Sequence, residues 1–89
     1  MQMMVSDRIV LHRREDPRNE YRELLLYEDV YWFSVYQVIG FASSSANVHH
    51  REELGIGTER DMRRLFSDTA AQLCRDGFSV CEEEAERYS

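Results

Sequence analysis

The segment from Val30 to Phe41, VYWFSVYQVIGF, constrains the fold more than any other part of the chain. It carries two Phe, two Tyr, one Trp and four β-branched aliphatic residues. Such residues lose side-chain freedom in a helix and pack well on the pleated surface of a sheet. The composition therefore predicts a central β-strand over residues 30–42.

The two faces of this strand differ in character, because successive side chains of a strand point to opposite sides. Phe33, Val35, Ile39 and Phe41 share one face, which we expect to be buried under a helix. Trp32 and Tyr36 share the other face, which we expect to be half open. The pattern leaves undecided whether these two rings meet a second core layer, another copy of the chain or a different protein.

Residues 58–76 predict one long helix. Thr58 is a suitable N-cap, and Asp61 follows three residues later, as in a capping box. Gly77 is placed to end the helix. One stripe at helical spacing is largely apolar and comprises Met62, Leu65, Phe66, Thr69, Ala70, Leu73 and Cys74.

The remaining segments predict further strands. Residues 8–12 and 79–81 are expected to be short strands, 48–54 either a strand or a helical turn, and 55–57 a flexible connector. Residues 21–28 are expected to form a hairpin with 30–42 through a tight turn near Glu28 and Asp29. The alternative is a helix from Pro17 to Glu28, with Asp16 as its N-cap.

Together these elements predict a single α+β domain over residues 1–89. Its small antiparallel sheet of three to four strands packs on one long C-terminal helix in two layers. Residues 82–89, EEEAERYS, are expected to form an acidic, frayed tail.

The apolar segments are too short for a membrane span, which needs about 18–20 residues. Asp7 and Arg8 also interrupt the N-terminal segment too early for the core of a signal peptide. We therefore expect a cytoplasmic protein that does not bind membranes. In that compartment Cys74 and Cys81 are expected to be free and partly buried.

The sequence offers little support for catalysis. His49 and His50 are adjacent, so on a strand they point apart, and no CxxC or HxxxH spacing is present to hold a metal. The segment GIGT before the helix lacks the third glycine of a dinucleotide site, and the chain has no Lys for a P-loop. We expect no enzymatic activity, no cofactor and no metal.

The charge distribution is more informative. The net charge is −6, and residues 51–89 carry six bases against ten acids. An acidic chain lacks the cations that neutralise phosphates, so direct nucleic-acid binding is disfavoured. Carboxylates can instead occupy a cationic groove on another protein, and Trp and Tyr often anchor such interfaces. The predicted partner-binding residues are Tyr31, Trp32, Tyr36, Glu52, Glu53, Glu59, Asp61, Asp68, Glu82, Glu83 and Glu84.

These observations predict a small protein-binding module whose partner has a basic surface. The sharper hypothesis is an inhibitor of a nucleic-acid-handling complex, of the phage and mobile-element kind that includes anti-CRISPR proteins. One alternative is a regulator or antitoxin that binds nucleic acid through the segment Arg8–Arg22. This segment contains five bases, and residues 1–23 contain five acids. Another alternative is a homodimeric structural subunit, and a homodimer is also compatible with the inhibitor.

Overall fold

The structure, a computed structural model, describes residues 3–15, 18–42 and 47–80. Its elements are β1 (Met4–Glu15), β2 (Arg18–Glu28), β3 (Phe33–Ala42), β4 (Asn47–Gly57), α1 (Glu59–Arg75) and β5 (Ser79–Val80). Within these residues the five strands form one antiparallel sheet in the order β4-β3-β2-β1-β5. Helix α1 packs on one face of this sheet. The predicted two-layer α+β fold is confirmed, with one strand more than expected.

Strand β2 lies between β1 and β3, and this position explains why 21–28 is a strand and not a helix. Leu24 and Leu26 are fully buried on the face towards α1, and Leu25 on the other face is only 7% exposed. A run of three buried leucines suits a central strand that is paired with a neighbouring strand along both edges. The strand alternative is therefore the one that the structure shows.

The core lies between α1 and the centre of the sheet. Leu11, Leu24, Leu26 and Val35 of the sheet meet Met62, Phe66 and Leu73 of α1, and Phe78 follows the helix. Phe33 packs against this cluster as predicted. Ile39 and Phe41 share its face but are half-buried and lie outside the cluster, because the residues paired with them, Arg22 and Glu20, make that end of the face polar.

Helix α1 begins and ends within one residue of the prediction. The Thr58 hydroxyl accepts a hydrogen bond from the backbone N–H of Asp61 at 3.2 Å, as expected for an N-cap. Gly77 has a φ of 98°, in the left-handed region that favours glycine. Cys74 is free but exposed, not partly buried, because Leu73 takes the position that faces the sheet. Cys81 and the tail 82–89 lie outside the described residues.

Two strands are longer than the sequence predicts. Strand β1 extends the predicted segment 8–12 at both ends, and β4 takes in both the ambiguous segment 48–54 and the expected connector 55–57. Gly55 belongs in β4 because α1 packs closely there, where a Cβ atom would lie 2.7 Å from Leu65 Cδ2.

Helix α1 is not long and apolar enough to cross a membrane, and the structure describes no other helix.

Candidate protein-binding surface

The turn between β2 and β3 presents the most exposed aromatic side chains of the described residues. It spans residues 29–32 and is closed by a hydrogen bond from the Asp29 N–H to the Trp32 carbonyl oxygen at 2.9 Å. The Asp29 side chain accepts a second bond from the Val30 N–H at 2.7 Å. Tyr31 is 80% exposed and Trp32 is 43% exposed. Trp32 therefore lies in the turn, whereas the sequence placed it on the strand.

Further apolar side chains lie at this end of the sheet. Met4 pairs with Glu28, and Ile56 pairs with Ser34, so the start of β1 and the end of β4 flank the turn. Eight large hydrophobic side chains are exposed within the described residues, and seven of them lie here. We call these seven the apical surface: Met3, Met4, Val5, Val30, Tyr31, Trp32 and Ile56. Exposed apolar side chains that gather at one end of a protein often mark a binding site.

Carboxylates surround the apical surface. Glu28 and Asp29 directly precede the exposed turn residues, and Glu59 and Asp61 lie in the first turn of α1, which begins where β4 ends. Glu59 pairs with Arg63 at 2.8 Å, and Asp61 lies 3.7 Å from Arg60. Glu28 and Asp29 make no ion pair within the described part of the chain. The surroundings of the apical surface therefore keep an excess of negative charge.

The structure brings together only some of the predicted binding residues. Tyr31, Trp32, Glu59 and Asp61 lie at the apical end of the molecule. The others are spread more widely: Glu52 and Glu53 lie on β4, Asp68 is exposed on α1, and Tyr36 lies on the sheet face away from α1. Glu82, Glu83 and Glu84 lie outside the described residues.

The sheet face away from α1, which we call the open face, carries an aromatic and arginine cluster. The rings of Tyr27 and Tyr36 meet edge to face with centroids 5.4 Å apart. The Arg51 guanidinium lies 4.6 Å from the Tyr36 centroid and 5.6 Å from the Tyr27 centroid. Tyr36 is thus half-buried by neighbours on adjacent strands, on the face away from α1.

A second contact crosses the open face at Gly40. The Tyr21 ring reaches from β2 across Gly40, and its hydroxyl group is hydrogen-bonded to His49 Nδ1 on β4 at 2.5 Å. A Cβ atom at Gly40 would lie only 2.0 Å from the ring of Tyr21. Glycine is therefore required for this crossing.

The open face is more basic than the rest of the protein. Strand alternation places Arg8, His12 and Arg14 of β1 on it, together with His49 and Arg51 of β4. Among the described residues, the acids on this face are Glu23, which is paired with Arg8, and Glu53. The protein therefore separates its charges, with the carboxylates around the apical surface and several cations on the open face.

A third cluster, at the C-terminal end of α1, has a structural role. Glu20 accepts hydrogen bonds from Arg13 at 2.7 Å and is paired with Arg22 at 2.6 Å, and both guanidinium groups lie over the Phe78 ring. Burial alone would raise the pKa of Glu20, but the hydrogen bonds and charges of the two arginines outweigh it and hold this pKa below its ordinary value of 4.5. Arg13 also donates to the carbonyl oxygen of Asp76 at 2.8 Å, which fixes the end of the helix.

Sequence reasoning missed Met3, Met4, Val5, Val30 and Ile56 as binding candidates. Each is an isolated or terminal apolar residue, and such residues give no signal until strand pairing places them side by side. The register of the β1–β2 and β3–β4 pairs carries this information.

Within the described ranges, no group of three His, Cys, Asp or Glu side chains is arranged to hold a metal ion.

Comparisons of the chain with protein-family models, with curated proteins and with solved structures find no match. Function must therefore be argued from the two surfaces themselves.

Proposed function

We propose that this protein is a non-enzymatic binding module that presents its apical surface to a basic surface of another protein. The observation that carries the proposal is the gathering of seven of the eight exposed large hydrophobic side chains at one end of the sheet. Interfaces of this kind combine aromatic anchors at the centre with a charged rim. The apical surface has both, because Glu28 and Asp29 directly precede the turn that carries the two rings, and Glu59 and Asp61 begin α1 at the same end of the molecule.

The charge of the whole chain supports a cationic partner. A net charge of −6 attracts a basic surface over a distance, and the carboxylates of Glu28 and Asp29 then lie close to the contact. The partner that we favour is a nucleic-acid-handling complex, because its groove carries cations that normally meet phosphates. Binding there would inhibit the complex by occupying that groove, as anti-CRISPR proteins can do.

A pull-down from a nuclease-treated lysate of the source cells tests this proposal. We expect the wild type to capture a basic protein and the Tyr31→Ala/Trp32→Ala variant to lose it. A Tyr27→Ala/Tyr36→Ala variant is the matched control, since it also removes two rings but from the open face. Equal loss in both variants, with circular dichroism showing both folded, would contradict an apical contact.

The captured complex also has an expected dependence on salt. If carboxylates steer association, the on-rate should fall about tenfold between low and high ionic strength, because charges separated by more than about 8–10 Å are screened. Surface plasmon resonance over a series of salt concentrations measures this rate. An on-rate that does not change with salt would count against the electrostatic part of the proposal.

A second candidate function is supported by the open face. The segment Arg8–Arg22 contributes Arg8, His12 and Arg14 to this face, beside Arg51 and the rings of Tyr27 and Tyr36. Aromatic rings and arginine planes stack on the bases of single-stranded nucleic acid. A regulator or antitoxin that binds nucleic acid would use this face and not the apical one.

An electrophoretic mobility shift with labelled single-stranded DNA and RNA separates the two candidates. Binding that is lost in Arg14→Ala/Arg51→Ala but kept in Tyr31→Ala/Trp32→Ala would favour the second function. No shift at low salt would leave the protein-binding function as the one supported.

A further inference from the structure

We propose that Tyr31 and Trp32 together bind one guanidinium group, the side chain of an arginine on the partner protein. This inference rests on the proposed function, because it names the partner side chain that the apical surface takes. It also makes the site smaller and more specific than an apolar patch.

The geometry of the two rings suits a planar cation. Their centroids are 6.2 Å apart and their planes are tilted by 42°, and both rings are open to solvent. A cation is attracted to an aromatic face when it lies within about 6 Å of the ring centroid. Guanidinium is planar and weakly hydrated, so it stacks on such a face more readily than the ammonium group of lysine.

The chain itself shows the same chemistry at two other places. Arg51 lies over Tyr27 and Tyr36, and Arg13 and Arg22 lie over Phe78. In both places the guanidinium comes from the chain's own sequence. Tyr31 and Trp32 are the most exposed aromatic pair of the described residues, and no described arginine lies over either ring.

The neighbouring charges favour a cation and not an anion. Glu28 and Asp29 precede the two rings in the chain and make no ion pair among the described residues. Their carboxylates raise the local concentration of a positively charged side chain and disfavour an acidic one. Two exposed rings that follow these carboxylates in the chain therefore point to arginine.

Fluorescence titration tests the inference directly, because Trp32 is the single tryptophan of the chain. The probe is a capped peptide with one arginine between glycines, and the matched probe replaces arginine by citrulline, which keeps the shape but lacks the charge. We expect a saturable change in Trp32 emission with the arginine peptide and about tenfold weaker binding of the citrulline peptide.

Three variants of the full chain assign the site. Tyr31→Leu keeps an apolar side chain without the ring and should weaken binding of the arginine peptide about threefold to fivefold. Glu28→Gln should also weaken it, whereas Asp76→Asn, which removes an exposed carboxylate from the opposite, C-terminal end of α1, should leave it unchanged. Circular dichroism verifies that each variant is folded.

Two results would overturn the inference: equal affinity for the arginine and citrulline peptides, or unchanged affinity in Tyr31→Leu. Either result could occur while the pull-down still loses its partner in Tyr31→Ala/Trp32→Ala, and the proposed function would then stand without this site. Selective binding of the arginine peptide without any captured partner would support the site and overturn the proposed function.

Discussion

Ser34 buries a hydroxyl group that has no hydrogen-bond partner among the described residues. Its side chain is on the open face of β3 and the residue is only 2% exposed. An unsatisfied buried polar group costs about 1–3 kcal/mol. We therefore expect Ser34→Ala to raise the free energy of unfolding by about 1 kcal/mol, measured by urea denaturation with an unchanged m-value. A loss of stability would show that the hydroxyl group has a partner in solution.

Gly40 allows the Tyr21 ring to cross β3, and a double-mutant cycle can isolate this role. In the wild type, Gly40→Ala should displace the ring, break its contact with His49 and cost about 1 kcal/mol. In a Tyr21→Ala background the same substitution should be neutral or slightly stabilising, because alanine restricts the unfolded chain more than glycine does. Equal effects in both backgrounds would mean that the glycine is needed for another reason.

Single residues were the hardest features to predict from the sequence. The N-cap Thr58 and the terminating Gly77 follow local rules and were predicted correctly. The sequence predicts a connector at Gly55, because glycine usually marks flexible segments. Its actual role depends on the approach of Leu65 from α1, a contact between elements that no local pattern contains.

At the scale of elements, the cluster of Glu20, Arg13 and Arg22 should make stability depend on pH. The pKa of Glu20 is depressed in the folded state, so its contribution is fully present above the unfolded pKa and is lost as pH falls through the folded pKa. Glu20→Gln should therefore cost about 2 kcal/mol at pH 7 and flatten the loss of stability between pH 4.5 and more acidic values.

The control for this prediction is the same substitution at a much more exposed glutamate, Glu59. The Glu59 side chain is 55% exposed and pairs with Arg63 of the same helix, whereas the Glu20 side chain is 12% exposed. Glu59→Gln should change stability by less than about 0.5 kcal/mol. Thermal unfolding of both variants from pH 3 to pH 7 measures the difference. Parallel pH curves for Glu20→Gln and the wild type would contradict the assignment.

Elements could be predicted where one periodicity dominates. The helical stripe predicts α1, and the β-branched and aromatic content of 30–42 predicts β3 with a start three residues too early. Residues 30–32 have strand composition but lie in the turn, because the register of β2 and β3 pairs Glu28 with Phe33. Pairing between strands, which is not encoded in either strand alone, decides where such a hairpin turns.

At the scale of the whole molecule, the exposed apolar side chains gather at one end of the sheet, whereas the basic side chains lie along its open face. The apical surface is apolar and has carboxylates near it. The open face carries arginine and histidine, and α1 covers the opposite face of the sheet. The sequence showed the excess of acids and the surplus of aromatic residues, but it suggested one surface for both. The position of the β2–β3 turn separates Tyr36 from Tyr31 and Trp32, so the candidate site could be predicted in its residue types and not in its location.

The same distribution predicts how the protein associates with itself. The sequence pI is about 5.0, so repulsion between copies is strong at pH 7 and weakens as the pH falls towards 5. Apolar groups of the apical surface should then drive self-association, and the weight-average mass from sedimentation equilibrium should rise above the 10.6 kDa of one chain.

Two identical substitutions locate this association. Val30 is 59% exposed on the apical surface, and Val80 is 43% exposed on β5, the remaining exposed large hydrophobic residue. Val30→Asp and Val80→Asp add the same charge to the chain, so a general effect of charge would reduce association equally in both. We expect only Val30→Asp to keep the protein monomeric at pH 5, because a carboxylate there must be desolvated when the apical surfaces of two copies meet. Suppression by Val80→Asp alone would instead place the contact at the β5 edge of the sheet.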